Sequence, residues 1–337
     1  MTKASIIFIT YCHEKFVAEA IQSAMAQDYE NLEIVVCDDA SPDRTLEILN
    51  AELKACPPHI NIVEAHSARN SGLHANFNRG LSRCTGDVII AMSGDDVSLP
   101  NRVSQVVNEF DSNKNTMVVI HNWTQIDEKG TIIDGQSCKY DKERSFTFGN
   151  RVKCMYARSP VCGASASYRR ILYDIFGEMI RGDHGEDNCF WFRGLLLGSI
   201  KYLPEPMVQW RSHASNLSNW SQAEDCEKNR RKHLQWLKRH NFIPQYSRDL
   251  KVAIEKKLIT EERGLCLMRL VLEDFESKRL RRYSLSSAPW KLWIGSAMRL
   301  RRCSRETRFY RKLFTYYLKL RISKSYRERK YWSKRFS

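Results

Sequence analysis

The sequence predicts an α/β fold with a mostly parallel central sheet flanked by helices. Two observations carry that reading. Over about the first 125 residues, short apolar runs alternate with stretches whose apolar residues recur at helical spacing. The polar clusters of this region fall at the ends of the apolar runs, where ligands bind on parallel sheets. Such alternation implies right-handed crossovers between parallel strands.

The elements follow in order. Residues 5–10 (SIIFIT) read as a buried strand and 15–27 as a helix. Residues 32–39 (LEIVVCDD) form a second strand that ends in acids. Ser41 as N-cap and Pro42 at the first helical position open the next helix. A third strand spans 60–65, a helix 72–84, a fourth strand 87–94, and a helix follows Pro100. Residues 116–127 form another strand, closed by an EKG turn. From about Ser159 the pattern changes. Residues 162–170 (CGASASYRR) are short and rich in small side chains, and 171–180 read as a helix. Helical spacing then runs from Glu186 to Leu197. Residues 199–211 are extended, with Pro204 and Pro206 marking an edge or turn. Beyond Gln222 the chain reads as helices, over 226–240 and from Asp249 onward. This organisation places an α/β domain at 1–220 and a helical, basic extension at 221–337.

The chain has 337 residues, 42% of them hydrophobic, enough for a sizeable core. No apolar run reaches the about 18 residues that a membrane-spanning helix needs. The N-terminal run lacks the small-residue cleavage site of a signal peptide and reads as a core strand. Eleven cysteines, an odd number without a C-x-x-C pair, argue against a disulfide framework or a zinc knuckle. They point to a reducing compartment, the cytoplasm. The net charge of +15 is uneven, because residues 278–337 hold 20 Lys/Arg against 2 Asp/Glu. A near-neutral body with a basic tail calls for an anionic surface, either membrane headgroups or nucleic acid.

Three constellations carry chemistry. Asp95–Asp96, in MSGDDVSLP at the end of the fourth strand, suit a hard divalent ion that keeps sites for water and phosphate. The bland alternative is a solvated turn with a capping acid. Asp38–Asp39, in VVCDDASPDRT, sit where an acid meets ribose or base in nucleotide-binding sheets. The G-x-G-x-x-G fingerprint is absent after the first strand, which argues against a nicotinamide or flavin enzyme. Glu186–Asp187 precede an aromatic helix. They read either as partners of the helix dipole or as a general base with a tuned pKa.

Together these segments resemble the family 2 glycosyltransferases. The match runs in four ordered blocks from Ser5 to about Ser218: residues 6–45, 70–103, 162–170 and 185–218. The resemblance implies the GT-A nucleotide-diphospho-sugar transferase fold and an inverting transfer from a nucleotide-sugar, a UDP-sugar first. The acceptor would be a hydroxyl of a glycan or lipid-linked glycan, of the bacterial surface-polysaccharide type that includes lipopolysaccharide. It implies Mg²⁺ or Mn²⁺ as cofactor. Thr10, Tyr11, Glu14, Asp38, Asp39, Asn70, Gly72, Asn78 and Asp95 would hold the donor, with Asp38 supporting its loop. Asp96 and Asp95 would hold the metal. Asp187, with Glu186 beside it, would be the base, and Arg211 and His213 would approach the diphosphate or acceptor.

Three positions depart from the family pattern. Ser93 stands in place of a first Asp, Cys12 in place of Asn, and Phe77 in place of an Arg that Arg79 or His74 would replace. A nucleotidyltransferase would want a glycine-rich basic loop after the first strand, and TYCHEK is not one. A non-catalytic binding module with a basic tail is opposed by the intact acids. The tail can gather Trp290, Trp293, Ile294 and Met298 on one helical face, and Leu313, Tyr317 and Leu320 on another. That pattern fits a peripheral helix on the inner face of the cell membrane or a helical cap packed on the body, with nucleic acid third.

Overall fold

A computed structural model describes residues 1–134, 140–147, 163–180, 185–216, 242–265 and 267. The chain divides into two units. One holds residues 1–147 and 160–240, the other 148–159 and 241–337. The expected boundary at residue 220, the helix over 226–240 and the basic tail lie outside the described residues.

The first unit is an α/β sheet structure. Its strands are β1 (Ala4–Thr10), β2 (Leu32–Asp38), β3 (Asn61–Glu64), β4 (Val88–Ser93), β5 (Val97–Ser98), β6 (Thr116–Ile126), β7 (Ile132–Asp134), β8 (Arg144–Phe146), β9 (Ala166–Arg169) and β10 (Ser199–Arg211). Its helices are α1 (Val17–Met25), α2 (Thr45–Glu52), α3 (Leu73–Arg83), α4 (Arg102–Ser112), α5 (Ile171–Phe176) and α6 (Glu186–Leu197). The sheet order is β3-β2-β1-β4-β9-β6-β10-β5, with β7 added to β6 and β8 to β10. β3, β2, β1 and β4 pair in parallel, as do β6 and β10. β9 runs antiparallel between β4 and β6.

Register places the polar strand ends on one level. Thr10 pairs with Asp38, and Ile9 pairs with both Cys37 and Ser93. Arg211 ends β10 opposite Ile126 of β6, on the same carboxyl edge. Beneath them Ile6, Phe8, Ile34, Val36, Ile90 and Met92 form one core with Val17, Ile21 and Ala24 of α1 and Val103, Val107 and Phe110 of α4. The helical spacing of those apolar residues is what puts them on the sheet.

Four sequence expectations shift. α2 starts at Thr45, so Ser41 is not its N-cap and Pro42 is not its first residue. The Ser41 hydroxyl instead donates to Asp38 and accepts from the Cys12 N–H. The helix after β9 stops at Phe176, where Gly177 takes φ +69°. β10 is not an edge strand. Pro204 and Pro206 fall between its pairing with β8 at Ile200–Tyr202 and with β5 at Val208–Gln209, where its ladder with β6 shifts register on either side of Pro206. In the second unit, α7 (Phe242–Glu255) begins before Asp249 and ends at a turn in which Lys257 has φ +58°.

Candidate active site

Two loops at the carboxyl edge are laced together. The Asp39 N–H donates to the Thr10 carbonyl. The N–H groups of Cys12, His13 and Glu14 donate to Ser41 Oγ, Thr45 Oγ1 and Asp43, and Glu14 accepts from the Arg44 N–H. Cys12 and Ala40 both sit at positive φ, which gives this double turn its shape. Asp38 is buried and spends its carboxylate on the N–H and hydroxyl of Ser41. Tyr11 is 42% exposed at the rim, while Thr10 is buried with its hydroxyl 3.1 Å from His13 Nδ1.

Asp39 lies across the neighbouring loop. It accepts from the Ser71 N–H (2.9 Å), the Ser71 hydroxyl (2.6 Å) and the Gly72 N–H (2.7 Å), and it pairs with Arg79 at 3.4 Å. Four donors fill a carboxylate's acceptor sites. Gly72 has φ +85°, a backbone that favours glycine. Asn70 is exposed on the same loop. Of the two residues expected to stand in for the missing arginine, Arg79 is the one bonded to Asp39. It is steadied by Asn76 at 2.8 Å. Phe77 is fully buried with its ring 6.1 Å from Phe190 of α6. Asn78 is buried. Its amide exchanges two 2.9 Å bonds with the backbone of Met179 and ties α3 to the segment before α6.

Asp95 and Asp96 part company. Asp95 Oδ2 meets His213 Nε2 at 3.0 Å and His13 Nε2 at 3.7 Å, and Oδ1 accepts from Ser93. Burial alone would raise its pKa. The His213 hydrogen bond, the His13 ring and the Ser93 hydroxyl outweigh burial and hold the carboxyl below its usual range. Gly94 lets β4 pass close by, because a side chain there would strike Thr10. Asp96 is fully buried and accepts the Arg211 N–H at 2.9 Å. Burial first, and the Asp95 charge second, push its pKa well above the usual range. Asp96 is thus turned into the fold against the Arg211 N–H, whereas Asp95 faces His213 and His13.

Arg211 is likewise internal. Its guanidinium donates to the carbonyls of Asp95, Asp127 and Glu128 and to Glu19 at 2.5 Å, and it lies 5.1 Å from the Phe16 ring. It clamps the acid loop, α1 and the β6–β7 turn, and does not reach toward a diphosphate. His213 is buried between Asp95 and Ser215 Oγ, with the Phe16 ring tilted against it at 4.8 Å. His13, Glu19 and Asn216 were not singled out in the sequence. Asn216 bonds the Arg211 carbonyl at 2.9 Å and approaches Asp95 at 3.5 Å. The one sequence signal for His13 is its place in the turn after β1.

Glu186 and Asp187 form a second acidic site at the start of α6. Burial raises both pKa values, to about 8 for Glu186, which also feels the Asp187 charge, and to about 6 for Asp187. Asp187 Oδ1 accepts from the backbone and side-chain nitrogens of Asn188, at 2.7 and 2.8 Å. The buried Tyr168 of β9, whose hydroxyl has no partner among the described residues, feels both acids. Two neighbouring carboxyls with separated pKa values are what acid–base chemistry requires.

Residues 5–176 match the family model described as glycosyl transferase family 2. The chain belongs to that family. Its glycosyltransferase relatives include an uncharacterized glycosyltransferase of Nostoc sp., 28% identical over 64% of this chain and 66% of that protein. Another, from Haemophilus influenzae, is 26% identical over 76% of this chain and 79% of its own length. Among solved structures, TarS 1–349 of S. aureus matches with a TM-score of 0.60 and 18% identity, over 88% of this chain and 79% of TarS. TarS in complex with UDP-GlcNAc matches at 0.53 and 18%, over 95% and 92%. The fold is GT-A.

GT-A enzymes commonly use divalent metals. Here Asp95, held below its usual pKa, fits one, because a hard cation takes carboxylate oxygen. Among the described residues no three His, Cys, Asp or Glu side chains are spaced to hold an ion. A metal here would share its coordination with phosphate and water. Among the described residues no helix is long and apolar enough to cross a membrane.

Proposed function

We propose that this glycosyltransferase moves a sugar from a nucleotide-diphospho-sugar, a UDP-sugar first, to a hydroxyl of a glycan or lipid-linked glycan, with inversion. The observation that carries the reading is the pairing of two unlike acidic sites on one unit. Asp95 sits at the strand ends with His213 Nε2 at 3.0 Å, whereas Asp187 sits in the first turn of a helix beside Glu186. The TarS complex with UDP-GlcNAc supports a uridine nucleotide.

In this reading Tyr11 packs on the base, and the loops ordered by Asp38 and Asp39 line the nucleoside. Asp95, with His213, would hold the divalent ion. When bound, that ion neutralises charge on the diphosphate leaving group. Asp187, with a pKa of about 6, is largely ionised at neutral pH and takes the proton from the acceptor hydroxyl as it attacks the anomeric carbon. A single displacement with one base inverts the configuration. Glu186, at about 8, stays protonated and keeps the pair's charge at one.

Replacing Asp187 with Asn tests this. The variant should bind UDP like wild type and lose UDP release from UDP-sugars, and retained turnover would remove Asp187 as the base. The basic segment 278–337 is proposed to hold the enzyme on anionic membrane. A chain truncated after residue 285 should float less with anionic liposomes, and unchanged flotation would refute it.

A further inference from the structure

We propose that Gly163 and Gly185 are positioning residues that seat the acid pair, each leaving out the side chain whose place a catalytic carboxylate occupies. This rests on the reading of Glu186 and Asp187 as the reacting acids. A methyl group built on Gly163 would overlap Glu186 Oε1, and among the described residues only Glu186 lies within 4 Å of that point. A methyl on Gly185 would overlap Asp187 Oδ1. Neither glycine is required by its backbone. Gly185 is extended, at φ −68° and ψ 147°, and Gly163 is not among the residues at positive φ. At both positions a side chain would therefore displace a carboxylate rather than strain the backbone.

The turn that carries Gly163 is fixed from behind. Arg102, fully buried at the start of α4, donates from one nitrogen to the Ala164 carbonyl at 2.7 Å and to the Ala91 carbonyl of β4 at 2.8 Å. The 3-10 turn Gly163–Ser165 is thus pinned to the central sheet. An added methyl meets the mobile end of Glu186 rather than backbone. The acid moves, and the fold has little reason to yield. Displacing a catalytic group by about 1 Å can lower a rate by about a hundredfold.

The experiment uses the full chain and UDP release from whichever of a panel of UDP-sugars wild type turns over. Gly163→Ala should slow release by about tenfold or more. Its melting temperature should stay within about 2 °C of wild type, and its melting shift with UDP and Mn²⁺ should be unchanged. Glu186→Asp draws the carboxylate back by one methylene. The double variant Gly163→Ala with Glu186→Asp should therefore be no slower than Glu186→Asp alone. Wild-type turnover in Gly163→Ala, additive losses in the double variant, or a Gly163→Ala chain that fails to fold would each overturn the proposal. Asp187→Asn separates the two readings. If it keeps turnover, the acid-pair assignment itself falls. If it loses turnover while Gly163→Ala does not, only the positioning role falls.

Discussion

Glu33 allows a prediction that can be worked from distances. It has no exposed surface, at the start of β2 and the end of the sheet opposite the polar strand ends. It pairs with Lys3 at 2.8 Å and accepts from Ser5 Oγ at 2.5 Å, Thr85 Oγ1 at 2.6 Å and the N–H groups of Thr85 and Gly86. Burial would raise its pKa, but these five partners overcome it and take the carboxyl from 4.5 to about 2. A depression of that size is worth about 3 kcal/mol at neutral pH. Lys3 is 35% exposed, and solvent screening brings the figure nearer to about 2 kcal/mol. A depressed carboxylate contributes stability above its unfolded pKa and loses it as pH falls, here between about 4.5 and 2. Glu33→Gln should therefore unfold at lower urea than wild type at pH 7, and the gap should close through that acid window. A gap that stayed constant with pH would show that the charge of Glu33 contributes nothing and that only its packing matters.

Two further outcomes follow from the acidic sites. Asp95→Asn should abolish the melting shift that Mn²⁺ adds to UDP. Asp96→Asn should melt at or above wild type at pH 7, with the difference shrinking as pH falls toward 4, because its carboxyl is costly only when ionised. The reverse pattern in a thermal-shift titration would exchange the two roles. UDP release at low substrate should rise with pH through about 6 as Asp187 ionises and fall through about 8 as Glu186 does. An acid limb near 4 would mean that Asp187 is solvated during turnover.

The sheet was legible because its strands are short apolar runs and its helices show a 3.6 period, both local signals. The cluster of polar strand ends was legible for the same reason, since parallel crossovers bring those ends to one edge. Helix starts were less so. Ser41 and Pro42 have the chemistry of a helix entry, yet Asp38, three residues upstream, and Cys12, on another loop, take the Ser41 hydroxyl first. Asn78 and Arg211, expected as ligand contacts, spend their amide and guanidinium on backbone groups, which no local pattern in the sequence reveals. Their partners, Met179 and the Asp95 and Asp127 carbonyls, lie 84 to 116 residues away.

Asp95 and Asp96 show the limit most clearly. They are adjacent and chemically identical, and sequence can only assign them jointly. What separates them is contributed from the far end of the unit. His213, 118 residues on, offers an imidazole to Asp95, and Arg211, 115 residues from Asp96, offers an N–H from the strand that buries it. The same closing segment thus ionises one acid and encloses the other. Ser93 completes the distinction. An aspartate there would add a further negative charge beside Asp95 and raise its pKa, whereas the serine hydroxyl donates to it. The departure from the family's acid triplet leaves Asp95 as an acid whose charge is secured by the Ser93 hydroxyl and by histidine. That is the physical reason a metal–diphosphate contact here should depend on Asp95 and His213 more than on the length of the acidic run.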